Sequence, residues 1–176
     1  ENRIRDFLAQ KRIAVVGVSR DDRGHPAAQL IYHRLKKTGH EVFAVNPHRE
    51  SFDGRPCHPD LAAIPGGVDA VVLVTRPEVS LQIVRECERM GIHRVWMHGS
   101  MASGSSVSPQ AAEYCRTHGI TVIAGACVSI SIAPCAGVST EPDLVMVTGA
   151  SLEQGRVRFT HKARRPDDAI EIEGTP

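Results

Sequence analysis

Aromatic side chains are scarce: Phe, Trp and Tyr make up 4% of the 176 residues, so a core must be built from Val, Ile, Leu and Ala. Charge of one sign is missing too. The 21 Lys and Arg against 20 Asp and Glu leave a formal net charge of +1, which provides no field to recruit nucleic acid or a membrane surface. No apolar run approaches the ~18 residues of a membrane span, and no signal-peptide pattern leads the chain. The five cysteines, Cys57, Cys87, Cys115, Cys127 and Cys135, contain no C-x-x-C pair and are odd in number. Free thiols in a reducing, cytoplasmic setting are therefore expected rather than a disulfide framework. Cys57 and His58 with His48 match no standard zinc spacing. What is present is the make-up of a globular protein, 41% hydrophobic and 23% charged, with room for one domain and a modest appendage.

Apolar runs and turn signals alternate along the chain. Arg12 to Gly17 reads as a strand buried on both faces. A helix is expected from Pro26 to Thr38, with Pro at its first turn and Gly39 past its end. Its apolar face would be Leu30, Ile31 and Leu35, with Arg34, Lys36 and Lys37 left to solvent. Glu41 to Val45 reads as a second strand, stopped by Asn46-Pro47. Residues 48–67, rich in proline, read as a connection holding a short extended piece at Arg55 to His58 and a helical turn at Asp60 to Ile64. Further strands are expected at Asp69 to Val74, Arg94 to Met97 and Thr121 to Ala124. Helices are expected at Pro77 to Met90, and from the capping Ser108 through Pro109 to His118.

Strand and helix alternating with short links predict an α/β fold: a Rossmann-like open parallel sheet of about five strands with helices on both faces. Residues 1–132 would form this domain. Residues 133–176 would be a C-terminal β appendage, with strands at Leu144 to Thr148 and Val157 to His161 and an exposed charged tail, free to edge-pair with the sheet or mediate assembly. In such sheets ligands bind beyond the carboxyl ends of the strands, where strand order reverses.

The first such loop, Gly17-Val18-Ser19-Arg20-Asp21-Asp22-Arg23-Gly24-His25, has the parts of a phosphate site. Glycine allows close approach to the backbone, the helix beginning at Pro26 offers free N–H groups, and Ser19, Arg20, Arg23 and His25 supply a hydroxyl and charge. The loop is no dinucleotide fingerprint, since Ser19 stands where G-x-G-x-x-G needs its second glycine. Asn46 ends the second strand where NAD sites carry an acid. No Gly-Lys-Ser/Thr follows the first strand, so the loop is no P-loop either.

Ile13-Ala14-Val15-Val16-Gly17-Val18-Ser19, Val45-Asn46-Pro47, Pro59 to Pro65, Val72-Leu73-Val74-Thr75-Arg76-Pro77, Val95-Trp96-Met97 and Gly119 to Ile123 occur in an order that resembles the bacterial stand-alone CoA-binding proteins. The same stretch, about residues 4–132, resembles the amino-terminal CoA-binding domain of the succinyl-CoA synthetase alpha subunit. The resemblance implies coenzyme A as cofactor, with Gly17, Val18, Ser19 and Arg20 at its phosphates; His25 joins them from the reading of the loop's charges. Asn46 and Pro47 would lie beside its adenosine end, with His48 and Arg49 near a phosphate, and Thr75, Arg76 and Pro77 would line the same crevice. Stand-alone members carry Asp-Arg-Cys after the last strand. Here Gly125-Ala126 precede Cys127, so the matching acid and base are gone.

The leading expectation is a non-catalytic module that binds CoA or an acyl-CoA as carrier, sensor or regulator, with no nucleic-acid or membrane partner and self-association left open. The synthetase's second domain has no room in this chain, which argues against ligation. An enzyme acting on an acyl-CoA or nucleotide through His98 or Cys127, and an NAD(P)-binding domain, are the alternatives. Cys127 invites a mixed disulfide with the CoA thiol, although a small buried residue is the commoner fate of a cysteine. His98 is expected to be a solvated loop residue and Trp96 a core residue.

Overall fold

The computed structural model describes residues 2–18, 26–100, 104–132, 147–153, 156–161 and 172–174. The chain divides into two compact units, Glu1–Ala133 and Pro134–Pro176.

The first unit is a mostly parallel α/β sheet. It contains α1 (Asn2–Leu8), β1 (Arg12–Val16), α2 (Pro26–Lys37), β2 (Glu41–Val45), β3 (Ser51–Phe52), β4 (Arg55–His58), β5 (Ala70–Leu73), α3 (Pro77–Arg89) and β6 (Arg94–Met97). A short hairpin, β7 (Gly99–Ser100) and β8 (Gly104–Ser105), follows, then α4 (Pro109–Thr117), β9 (Thr121–Ala124) and the single turn α5 (Val128–Ser131). The sheet has seven strands in the order β3-β4-β2-β1-β5-β6-β9, against the five expected. The additional pair is β3 and the extended piece at β4, an antiparallel hairpin in which Phe52 pairs with Arg55. Asp53 and Gly54 turn it, both at positive φ, a two-residue link whose Asp-Gly signal stands in the sequence. At 60–64 there is a turn, closed by Ile64 N–H on the Leu61 carbonyl at 3.2 Å, with no helix.

Alternation along the strands divides the core between the two faces. Ile13, Val15, Val72, Trp96 and Ile123 join Phe7 of α1 and Ala28, Ile31, Tyr32 and Leu35 of α2 on one face. Ala14, Val16, Leu73, Met97 and Val122 join Val84 and Cys87 of α3 and Ala111 and Cys115 of α4 on the other. A period of two on strands buried on both sides produces this separation. Trp96 lies in the core, edge-on to Phe7 at 5.3 Å between ring centres.

Two assignments on α2 are corrected. Leu30 is 42% exposed, because the buried stripe is Ala27, Ala28, Ile31, Tyr32 and Leu35 and Leu30 lies well round the helix from it. Arg34 is half-buried and donates Nη1 to the Ser129 carbonyl instead of facing solvent.

In the second unit β10 (Val147–Glu153) and β11 (Arg156–His161) pair antiparallel, and β12 (Ile172–Gly174) adds to β11, a three-stranded sheet of its own. The first strand continues past the expected end at Thr148. Glu153 opposite Arg156 leaves a two-residue link, and this register draws residues 149–152 into the ladder. Residues 144–146 and the charged tail lie outside the described residues.

Candidate functional site

β2 lies on one side of β1 and β5 on the other, so strand order reverses at β1. The carboxyl ends of β1 and β5 therefore mark the position where a parallel sheet places its ligand. Gly17 sits there. Its N–H donates to the Val45 carbonyl at 3.0 Å, and Val74 N–H donates to the Val16 carbonyl at 2.9 Å. Gly17 has φ +101°, and a Cβ built there would stand 2.2 Å from the Val74 oxygen and 3.0 Å from Thr75 Cγ2. Only glycine fits, both for its backbone angle and for its space.

Val18 is buried, and its carbonyl accepts from Asn46 Nδ2. Asn46 Oδ1 accepts His48 N–H at 2.8 Å, and Asn46 N–H donates to the His58 carbonyl at 2.9 Å. Asn46 thus clips the Gly17 loop to the ends of β2 and β4. Pro47 and His48 are exposed beside it. Arg49 Nε donates to the Ser51 carbonyl at 2.8 Å, and its guanidinium lies 5.1 Å from the Phe52 ring centre. Ser19, Arg20 and His25 lie outside the described residues.

Thr75 joins β5 to α3. Arg76 is the exposed N-cap residue of α3 without a side-chain cap bond, and Pro77 occupies the first turn. The residue before Arg76 is tied to another part of the chain: Thr75 N–H donates to Ser106 Oγ at 2.9 Å. Ser80 Oγ donates to the Ser106 carbonyl at 2.8 Å, and Ser106 N–H donates to the His98 carbonyl at 2.8 Å. Ser80 and Ser106 are both buried. The sequence signals neither, since Ser106 stands in a Gly/Ser-rich stretch and Ser80 inside a helix, with no spacing to link them. The Thr75 hydroxyl is shut off from solvent and finds no hydrogen-bond partner among the described residues. An unsatisfied buried hydroxyl is costly, and such groups occur where a ligand or water completes them.

Beyond β6 and β9 a second set of contacts fixes the Cys127 segment. Trp96 Nε1 donates to the Ala126 carbonyl at 2.9 Å, and a Cβ on Gly99 would meet Gly125 Cα at 2.7 Å. Cys127 is half-buried at the N-cap of α5, its carbonyl accepting from Ser131 N–H at 3.2 Å and Ser131 Oγ at 3.1 Å. His98 is not a solvated loop residue. It is 2% exposed, and its Nδ1 accepts from Val128 N–H at 3.4 Å, because the 125–128 segment closes over the end of β6. Burial holds its pKa below the ordinary histidine value.

Gly17, Val18, Asn46 and Thr75 are thus brought together, with Arg76 and Pro77 at the adjoining helix start. The Thr75 hydroxyl leaves this group of residues with one buried polar atom unsatisfied among the described residues.

Comparison with known proteins is consistent with this geometry. The sequence pattern of the CoA binding domain family matches residues 11–133. The chain is 23% identical over 155 residues to an acetate–CoA ligase (ADP-forming) of Archaeoglobus fulgidus, covering 85% of this chain and 21% of the ligase. It therefore spans about a fifth of that relative's length. A hypothetical protein from Pyrococcus horikoshii OT3 shares the fold with TM-score 0.65 and 26% identity, over 74% of this chain and 87% of the other. A dinucleotide-forming acetyl-coenzyme A synthetase 1 of Ca. Korarchaeum cryptofilum shares the fold alone, with TM-score 0.55 and 22% identity over 65% of this chain and 25% of that one.

Proposed function

Because the chain belongs to the CoA binding domain family, we propose that it binds coenzyme A or an acyl-CoA in the crevice between β1 and β5, as a binding module without chemistry of its own. The observation that carries the reading is Gly17 at the point where strand order reverses, a position whose φ of +101° and contact with the Val74 oxygen, 2.2 Å from any added Cβ, admit only glycine. CoA supplies a diphosphate, a 3′-phosphate and a thiol arm. In this reading the diphosphate lies along Gly17 and Val18 before α2, with Ser19, Arg20 and His25 donating to it. Thr75 gives its hydroxyl to a ligand oxygen, and Arg76 adds charge at the start of α3. Asn46 contributes by holding the loop, while Pro47 and His48 border the adenosine end. Arg49, beside Phe52, is assigned to a neighbouring phosphate. Cys127 is assigned to the neighbourhood of the thiol arm.

Residues 1–132 are read as the binding domain and 133–176 as an extension to it. A cytoplasmic setting goes with free thiols at Cys57, Cys87, Cys115 and Cys127.

Calorimetric titration with CoA, dephospho-CoA, acetyl-CoA and NAD tests the reading. CoA is expected to bind more tightly than dephospho-CoA, by the contribution of a charge-assisted phosphate contact, and acetyl-CoA to bind like CoA. Binding of NAD alone overturns it. Turnover of an acyl-CoA by the protein would overturn the statement that it is a module only.

A further inference from the structure

The α3 end of the crevice is built by a residue that does not line it. Helices leave their first N–H groups without internal partners, and a side chain at the N-cap ordinarily accepts one. In α3 that position is Arg76, which makes no such bond. The residue before it, Thr75, gives its own N–H to Ser106 Oγ at 2.9 Å, from 31 residues away in the chain, a bond that fixes the peptide entering the helix rather than capping it. Ser106 is itself held at both ends of its backbone. Its carbonyl accepts from Ser80 Oγ at 2.8 Å, within α3, and its N–H donates to the His98 carbonyl at 2.8 Å, at the end of β6. With Ser106 2% exposed and Ser80 fully buried, these bonds are shielded from competing water.

The consequence falls on Thr75. Its main chain is pinned from the side of α3 and the β7–β8 hairpin, while its Cγ2 methyl abuts the Gly17 position. Its hydroxyl is left over, buried and without a partner among the described residues. A polar atom held in place with nothing to bind is the arrangement of a contact built in advance, which lowers the ordering cost when a ligand arrives.

Resting on the reading of the crevice as a CoA site, we infer that Ser106 is its positioning residue: it fixes the Thr75 peptide, and through it the Thr75 hydroxyl, for a ligand phosphate oxygen. Ser106 does not touch the ligand. Ser80 supports it, and the β7–β8 hairpin, which Ser106 closes against His98, becomes part of the machinery that sets affinity.

The test is calorimetric titration of CoA into the full chain carrying no change, Ser106→Ala, Thr75→Val, or both. Ser106→Ala is expected to raise Kd about tenfold, or about 1.4 kcal/mol. In the Thr75→Val background, where no hydroxyl remains to be positioned, Ser106→Ala is expected to change Kd by less than about twofold. A purely structural Ser106 would weaken binding equally in both backgrounds, and that result overturns the inference. Unchanged affinity in Ser106→Ala overturns it too. Should Ser106→Ala fail to fold, Ser80→Ala removes the donor to the Ser106 carbonyl and enters the same cycle with the same expected coupling. Wild-type protein that binds no CoA overturns the crevice reading and this inference with it, whereas binding without coupling overturns the inference alone.

Discussion

Substituting Gly17 by Ala isolates the close approach of the chain after β1 to the end of β5. Two separate penalties follow from the geometry. At φ +101° a residue with a Cβ is strained, at about 1–2 kcal/mol. The new Cβ would also sit 2.2 Å from the Val74 oxygen and 2.8 Å from its carbonyl carbon. Both are backbone atoms in the parallel ladder, so relief requires the end of β5 to move away from β1. Overpacking of this kind adds about 1–3 kcal/mol. The sum is about 2–5 kcal/mol, or a fall in Tm of about 10 °C for a chain of this size. Gly39→Ala is the matched control. Gly39 has φ +90° with nothing within 4 Å of an added Cβ, so only the backbone penalty applies. Urea denaturation of the two variants beside the wild type measures the difference directly. Gly17→Ala should be the less stable by about 1–3 kcal/mol, the share assigned to the Val74 contact. Equal stability of the two variants, within about 0.5 kcal/mol, would refute the close approach of β1 and β5 at this point.

Three further outcomes are expected. Trp96→Phe removes the indole N–H that holds the Ala126 carbonyl at 2.9 Å and should cost about 1–3 kcal/mol in urea denaturation; an unchanged midpoint would contradict that tether. Among Cys57, Cys87, Cys115 and Cys127, iodoacetamide should label Cys127 first, read by peptide mass. The other three are buried, and burial raises their pKa values, that of Cys115 up to about 11; earlier labelling of Cys87 or Cys115 in folded protein would contradict the packing. His98 has a folded pKa depressed by burial, so between the unfolded value near 6.5 and the lower folded value the unfolded chain binds more protons. Stability should therefore decline as pH falls through that window, by up to about 1.4 kcal/mol per pH unit, and the decline should be shallower in His98→Asn. Identical pH slopes for the two proteins in denaturation between pH 5 and 7 would show that His98 is not kept neutral.

The legible parts of the fold are those written in local chemistry. Val-rich runs ending at Gly17 and Val45, prolines at 26, 77 and 109, and glycines at 39, 91 and 119 mark where strands and helices begin and stop, and the observed bounds of α2, α3 and α4 follow them closely. The Asp53-Gly54 turn is equally local, but the prolines around it give the stretch the look of an irregular connection. Leu30 and His98 belong to a different class. Hydrophobicity suggests an inward Leu30, but the phase of the helix turns it out. Polarity and loop position suggest a solvated His98, but the 125–128 segment, which approaches only through the β6–β9 pairing, covers it.

The candidate site divides along the same line. Gly17 is visible because a glycine after a buried strand has few other uses, and Asn46 is visible as the residue standing where an acid would favour NAD. Their partnership is not, because Asn46 reaches Val18 across 28 residues through the register of β1 with β2. Ser106 is the extreme case. Serine in a Gly/Ser-rich stretch carries the composition of an ordinary loop, and nothing near it in sequence distinguishes it from Ser105. It acquires its place because parallel pairing of β5 with β6 brings the chain leaving β6 back beside the start of α3, where an N–H awaits an acceptor. A motif search around the first loop therefore finds the residues proposed to face a phosphate, while residues such as Ser106 are found only by tracing where each buried N–H and hydroxyl at the switch point is satisfied. By that criterion the Thr75 hydroxyl, the one buried side-chain oxygen left unpaired among the described residues, is the atom at which the proposed ligand contact is to be tested.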